Sequence, residues 1–306
     1  MNMETIKKFP DGARVCFVGD SITHCNRFVA RIAGFYRDHF PEAKVEFYNC
    51  GISGATLGTI LSFFDRDVLP FEPTHIVLMI GVNDAHRTHL EKKSPNRFDK
   101  MRAAFDCYQS RLKILCERIE QIHAELIICT PAPYDEYHES EIPSLQGGAA
   151  MMLGYAEYLK VFAKENGYPL CDYHSYITRE LTLSTEPLYT PDHVHLKSLG
   201  HYHIAKCFLA FQGLEISEDK DIPASVLPWH EVTLKLRDTV ATESFLLKEN
   251  EYSQSDEYKI NAILNFINEP NGGSNEEYFL RLANAYAENK KNQAKNIEFV
   301  KAFMKS

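Results

Sequence analysis

Along the first two-thirds of the chain, short runs in which nearly every position is apolar alternate with longer stretches whose apolar residues recur every three or four positions. The first pattern suits a strand buried on both faces, and the second suits a helix laid against it. The strand runs are Arg14–Gly19 (RVCFVG), Lys44–Asn49 (KVEFYN), His75–Gly81 (HIVLMIG), Glu125–Thr130 (ELIICT) and Pro169–Tyr173 (PLCDY). Helical periodicity fills Asn26–His39, Thr56–Asp65, Phe98–His123, Ala149–Asn166 and Lys197–Phe211. Strands alternating with helices predict an α/β fold, a three-layer α/β/α sandwich around a flavodoxin-like parallel sheet of five strands.

Beyond Gly213 the alternation stops. The polar, proline-bearing stretch ISEDKDIPASVLP reads as a linker, which sets the expected boundaries at 1–213 for the α/β domain, 214–227 for the linker and 228–306 for a helical C-terminal extension. Three helices are expected there, near Pro228–Leu247, Gln254–Ile267 and Ser274–Met304, with EPNGG (Glu269–Gly273) as a break. Their apolar positions, among them Leu234, Leu246, Ile260, Ile263, Phe266, Phe279, Leu282, Tyr286, Ile297, Val300 and Phe303, fall at helical spacing, so each helix has a stripe to bury. The stripes would dock on the α/β domain or pair across a homo-oligomer built through the C-terminal helices.

Composition narrows the function. A net charge of -9 without a compensating basic stripe argues against nucleic acid or an anionic membrane as partner, and Lys92-Lys93 and Lys290-Lys291 read as solvated faces. No segment approaches the roughly 18 uncharged apolar residues of a membrane span, and the N-terminal MNMETIKKFPDGARV lacks the apolar stretch of a secretory signal. A cytoplasmic protein is expected. Of the eight cysteines, Cys16, Cys50, Cys129 and Cys171 sit in or beside apolar runs and none forms a CxxC pair, which suits buried thiols better than disulfides.

Functional groups in a parallel α/β sheet gather beyond the carboxyl ends of the strands. Four polar blocks stand at such places: GDSIT at Gly19–Thr23, NCGISGAT at Asn49–Thr56, GVND at Gly81–Asp84 and DHVH at Asp192–His195. Each has a plain structural reading by itself. Ser21 and Thr23 suit a helix cap, Gly51 and Gly54 suit a tight turn, Asn83 and Asp84 suit an Asx turn, and His195 suits a polar residue near a helix start. Those readings do not predict one another, whereas one acyl-transfer site predicts all four.

In these four ordered blocks the chain resembles the SGNH hydrolase superfamily, the GDSL-type esterases and lipases, over about two-thirds of its length. Ile22 stands where many members have leucine. The resemblance implies that Ser21 is the nucleophile, His195 its base and Asp192 the residue that orients the imidazole. It implies an oxyanion hole made of the Ser21 N–H, the Gly54 N–H and the Asn83 side-chain amide; Gly51 competes for the glycine role, and the family spacing favours Gly54. No cofactor is implied. The residue types fit the chemistry: a serine hydroxyl needs a base to take its proton, histidine has a reference pKa near ~6.5, and a carboxylate holds the imidazole tautomer and stabilises the imidazolium.

The remaining histidines, His24, His86, His89, His193, His201 and His203, raise the alternative of a metal-dependent hydrolase, but no ligand motif completes them, and no metal is expected. The long polar and aromatic segment Pro131–Gly148 leaves the fourth strand at the active-site edge and should line the pocket. Asp20, Tyr134 and Tyr137 are taken as substrate contacts, and with Glu136 and His138 the segment suits a hydroxylated leaving group better than a long acyl chain. The sequence therefore reads as a serine esterase for small O-acyl groups, chiefly acetyl, on a small-molecule ester such as an acylated sugar. A thioesterase or lysophospholipase of the same superfamily is the alternative within that class, and a non-catalytic binding module on a flavodoxin-like fold is the alternative outside it.

Overall fold

The computed structural model describes residues 8–85, 96–215, 220–247, 254–267 and 276–305. Five strands, β1 (Arg14–Gly19), β2 (Glu46–Gly51), β3 (His75–Met79), β4 (Glu125–Cys129) and β5 (Leu170–Cys171), form one sheet in the order β2-β1-β3-β4-β5. Every pairing is parallel. The helices are α1 (Ser21–His24), α2 (Arg27–His39), α3 (Leu57–Asp67), α4 (Arg97–Gln121), α5 (Gly148–Asn166), α6 (Tyr173–Leu183) and α7 (Ser198–Phe211), followed by α8 (Leu227–Leu246), α9 (Asp256–Ile267), α10 (Glu276–Lys291) and α11 (Gln293–Lys305). The chain steps outward from β1 to β2 and then back across the sheet. Right-handed crossovers therefore place α2, which packs on α7, on one face, and α3, which packs on α4, on the other. This is the three-layer sandwich expected from the sequence.

Alternation along the strands divides the core. Phe17 of β1 and Phe47 of β2 meet Phe28 of α2 and Phe208 of α7 on one face. All four rings are almost wholly buried, and burying each is worth about 1.5–3 kcal/mol. Tyr108 of α4 and Tyr155 of α5 stack edge to face, and both hydroxyls reach the backbone after β3, at the carbonyls of Ile80 and Asp84. The core thus fixes the loop that carries Asn83. Cys16, Cys50, Cys129 and Cys171 are buried free thiols.

Several boundaries move for local reasons. β2 starts at Glu46 because Lys44 has a φ of +43° and cannot join a ladder. β3 stops at Met79, ahead of Gly81 at φ +145°. Helix α6 escapes the sequence pattern, since a run rich in tyrosine and threonine has no strong helical preference; Asp172 caps it by accepting from the Ser175 N–H at 3.0 Å. Residues 220–227 are tied to the sandwich, with the Lys220 carbonyl accepting from Arg31 Nε at 3.1 Å.

The chain divides into two units, Met1–Leu227 and Pro228–Ser306. The expected single helix Ser274–Met304 is two, α10 and α11, separated at Asn292. The Asn292 amide Nδ2 donates to the Glu288 carbonyl at 3.0 Å, and asparagine is a poor helix former that readily takes up such local bonds. Tyr286, Val300 and Met304 are buried, whereas Leu234, Ile297 and Phe303 are half-buried. The side chains of Leu246, Ile260, Ile263, Phe266, Phe279 and Leu282, the Glu269–Gly273 break and Lys92-Lys93 lie outside the described residues. Lys290 is not on a solvated face: its side chain is 8% exposed and its ammonium lies 2.8 Å from the buried Glu243 carboxylate, which also accepts from the Tyr286 hydroxyl at 2.8 Å. Among the described residues no helix is long and apolar enough to cross a membrane.

Candidate active site

The serine hydroxyl stands at the first helical position beyond β1. Asp20, not Ser21, caps the short helix α1, accepting from the Ile22 N–H at 3.0 Å. The Ser21 hydroxyl is thereby left out of capping, and its backbone N–H, the first of a helix, has no intrahelical acceptor. Ser21 Oγ lies 2.8 Å from His195 Nε2, and His195 Nδ1 lies 2.5 Å from Asp192 Oδ2. The three residues, 174 positions apart between first and last, form a continuous hydrogen-bonded line.

Asp192 and His195 sit on a loop closed by an antiparallel bridge between Tyr189 and Leu196. Thr190 N–H bonds the His195 carbonyl at 2.8 Å, and Lys197 N–H bonds the Leu188 carbonyl at 2.7 Å. The other carboxylate oxygen, Asp192 Oδ1, accepts from the Thr190 hydroxyl and from the N–H groups of Val194 and His195. Partial burial works against the charged carboxylate, but the His195 ring and these three donors outweigh it and hold its pKa well below the ordinary value. It stays ionised opposite the imidazole.

The second block supplies a tight turn. Ala55 N–H bonds the Ile52 carbonyl at 3.0 Å, with Gly54 at φ +76°, a conformation that favours glycine. Gly54 is exposed, and among the described residues nothing accepts from its N–H. Gly51 differs: its N–H is taken by Asn49 Oδ1 at 2.8 Å, and a Cβ there would lie 2.4 Å from the His24 nitrogen. Gly51 therefore serves close packing of β2 against α1, and Asn49 ties the two by donating to the Thr23 carbonyl at 2.6 Å.

Asn83 reaches the same place from β3. One amide hydrogen goes to the Ala55 carbonyl at 2.9 Å, which fixes the side chain and leaves the second for another acceptor. Asp84, 3% exposed, accepts from the Leu57 N–H at 3.0 Å and so ties the start of α3 to the same loop. Burial pushes its pKa up to about 6, against the pull of the Leu57 bond and of nearby Arg111.

Of the three expected substrate contacts, Asp20 and Tyr134 are buried and Tyr137 is exposed. Asp20 is 2% exposed and faces the Ile22 N–H. Tyr134 is 5% exposed; its hydroxyl accepts from Leu145 N–H at 2.8 Å, and its ring packs on Gly148, so it braces the Pro131–Gly148 segment from inside. Glu136 closes the same segment, accepting from the N–H groups of Gly147 and Ala149. Tyr137, by contrast, is 83% exposed. The polarity of this segment, read as substrate-directed, satisfies the loop's own backbone. The remaining histidines are dispersed: His193 meets the Ile142 carbonyl at 2.5 Å, His201 Nε2 lies 3.3 Å from Cys25 Sγ, and His203 faces Glu180 at 3.4 Å. His86 and His89 lie outside the described residues. His193, Thr190 and Asn49 are supports that the sequence reading did not assign; Thr190, two residues before Asp192, follows the local pattern by which hydroxyls bond a nearby carboxylate.

Burial pushes the Asp20 pKa up from 3.8 to about 7, the Ile22 bond and His195 drawing it back and Asp84 adding to it. A carboxyl raised on folding contributes stability below its unfolded pKa and loses it as pH rises through the folded one. Buried His201, pushed down to about 3 by burial and by Arg31 and Arg27, acts oppositely, costing stability as pH falls below about 6.5. A difference measurement separates the two. Asn is an equally good cap, so Asp20→Asn should match the parent near pH 4 and become more stable relative to it as pH rises to about 8, by up to about 4 kcal/mol, in urea unfolding. A difference that does not change with pH would refute this account of Asp20.

Comparison with known proteins follows the same lines. The sequence profile of the GDSL-like lipase/acylhydrolase family matches residues 17–202. An acetylxylan esterase from Geobacillus stearothermophilus is 27% identical over 223 residues, which cover 68% of this chain and 97% of that protein. Among solved structures, a gut microbial diltiazem-metabolizing enzyme matches over 98% of this chain and 96% of its own, with a TM-score of 0.79 at 15% identity. A catalytic mutant of the Geobacillus stearothermophilus acetylxylan esterase matches over 68% of this chain and 97% of its own, with a TM-score of 0.58 at 24% identity. At these identities the two structural matches are likenesses of fold.

Proposed function

The chain belongs to the GDSL-like lipase/acylhydrolase family and is a carboxylic ester hydrolase, and from that premise we propose that it removes small acyl groups, chiefly acetyl, from hydroxylated carbohydrates through a Ser21–His195–Asp192 triad. The observation that carries the reading is the line of hydrogen bonds from Ser21 Oγ through the His195 ring to Asp192. Ser21 Oγ attacks the ester carbonyl carbon while its proton passes to His195 Nε2. The imidazolium so formed is stabilised by Asp192, whose carboxylate is held ionised. The carbonyl oxygen becomes an oxyanion that the N–H groups of Ser21 and Gly54 and the second amide hydrogen of Asn83 stabilise. His195 then returns the proton to the departing alkoxide, leaving an acyl-Ser21 ester. Water, deprotonated by His195, releases the acid by the same steps in reverse.

The acetyl and carbohydrate assignments draw on the similarity to the acetylxylan esterase and on the polar residues Arg27, Thr190, Lys197 and Ser198 that line the cleft beside Ser21. A series of 4-nitrophenyl esters and acetylated xylo-oligosaccharides tests them: kcat/KM should be highest for acetate and fall with acyl length. A rise toward long chains would favour a lysophospholipase instead. In the same assay Asn83→Ala should lower kcat by about 10²–10³-fold with little change in KM, because the donor is used only once charge develops. A loss confined to KM would contradict the oxyanion role.

A further inference from the structure

Beside Ser21 and His195 the sandwich opens into a cleft of about 300 Å³ whose walls include Cys25, Arg27, Lys197 and His201. Arg27 is the first residue of α2, and Lys197 is the N-cap residue of α7. In neither helix does the N-cap side chain make a capping bond, and neither carries an acidic residue in its first turn. A helix N-terminus carries about half a positive charge and ordinarily attracts carboxylates. Here both ends that face the cleft carry cations instead.

Among the described residues no carboxylate pairs with the Arg27 guanidinium or the Lys197 ammonium, and no acidic side chain lines the cleft. Arg31, one turn on from Arg27 and 2% exposed, ties α2 to the start of α7 by donating to Ser198 Oγ at 2.9 Å. The chain as a whole is acidic, at -9, so this focus of positive charge is local. Its place relative to the reacting atoms is also defined. His195, which hands a proton to the leaving oxygen, forms one wall, whereas Gly54 and Asn83 do not line the cleft. The space therefore lies on the alcohol side of the scissile bond.

We propose that the alcohol part of the substrate carries a negatively charged group, a carboxylate or a phosphate, bound between Arg27 and Lys197 where α2 and α7 begin. The inference rests on the ester-hydrolase reading of Ser21 and His195, and it makes these two cations specificity determinants. Anion binding by two cations and two helix ends is sensitive to salt, because the groups lie at the surface.

The test uses a matched set of methyl glycosides bearing one acetyl group at the same position: the glucoside, the glucuronoside and the glucoside 6-phosphate. In the parent enzyme kcat/KM for at least one charged ester should exceed that for the neutral ester by about tenfold or more, mainly through KM, and the ratio should shrink as salt is raised. The larger of the two ratios tells carboxylate from phosphate. In Arg27→Gln/Lys197→Gln the ratio should fall to about one, and a ratio cancels any general loss of activity. A ratio near one in the parent, or the same ratio in the double variant, overturns the inference. Titration calorimetry with Ser21→Ala separates it from the esterase reading. If no ester is cleaved but a charged glycoside still binds about tenfold more tightly until both cations are removed, the inference stands and the esterase reading fails. Cleavage without preference sinks the inference alone, and neither cleavage nor preference sinks both.

Discussion

Ser21→Ala should abolish turnover, lowering kcat by about 10⁴-fold or more while the fold is kept. The hydroxyl takes no part in capping α1, because Asp20 does that, so its removal should not unravel the helix. Its hydrogen-bond partner is His195 Nε2, 2.8 Å away. The parent treated with a fluorophosphonate should gain one adduct on the peptide containing Ser21, and the alanine variant should gain none. An adduct elsewhere, or a variant that retains a tenth of its activity, would remove Ser21 from the mechanism.

Asp192→Asn should be nearly as severe, at about 10⁴-fold in kcat, for a reason specific to this loop. Oδ1 accepts from the Thr190 hydroxyl and two backbone N–H groups, so the amide oxygen of an asparagine must stay there. Its NH₂ group then takes the place of Oδ2 and faces His195 Nδ1. A donor opposite Nδ1 makes that nitrogen the acceptor and puts the ring proton on Nε2, where it can no longer receive the proton of Ser21. The three loop bonds survive, so thermal unfolding should change little. Asp192→Ala, which loses them as well, should be both inactive and less stable. An asparagine variant within about tenfold of the parent would show that Asp192 does not set the tautomer.

The sheet could be read from the chain because its strands are nearly continuous in apolar residues, a demand made by helices covering both faces. Three of the four blocks could be read because they leave the ends of strands that the core fixes, whereas DHVH lies beyond α6 on the loop closed by the Tyr189–Leu196 bridge. Division of labour within a block was less legible. Asp20 and Ser21 are both ordinary capping residues, and only the position of the Ile22 N–H decides which one caps. Tyr134 and Glu136 look outward-facing by type, yet their polar atoms close a long segment on itself, a choice set by backbone groups that carry no side-chain signature. The Glu243–Lys290 pair was equally hidden, since the two residues are 47 positions apart and lysine pairs look solvent-exposed.

The loop closed by the Tyr189–Leu196 bridge carries both Asp192 and His195, and six bonds within it fix one to the other and to the bridge. In the proposed mechanism carboxylate and base are therefore one casting, and the proposed catalytic line has a single joint, the 2.8 Å step from His195 to Ser21. A disturbance anywhere in the sheet can open or close that joint but leaves the pair behind it aligned. Tuning this enzyme, by selection or by design, is a matter of how one preassembled hairpin is seated against one helix end.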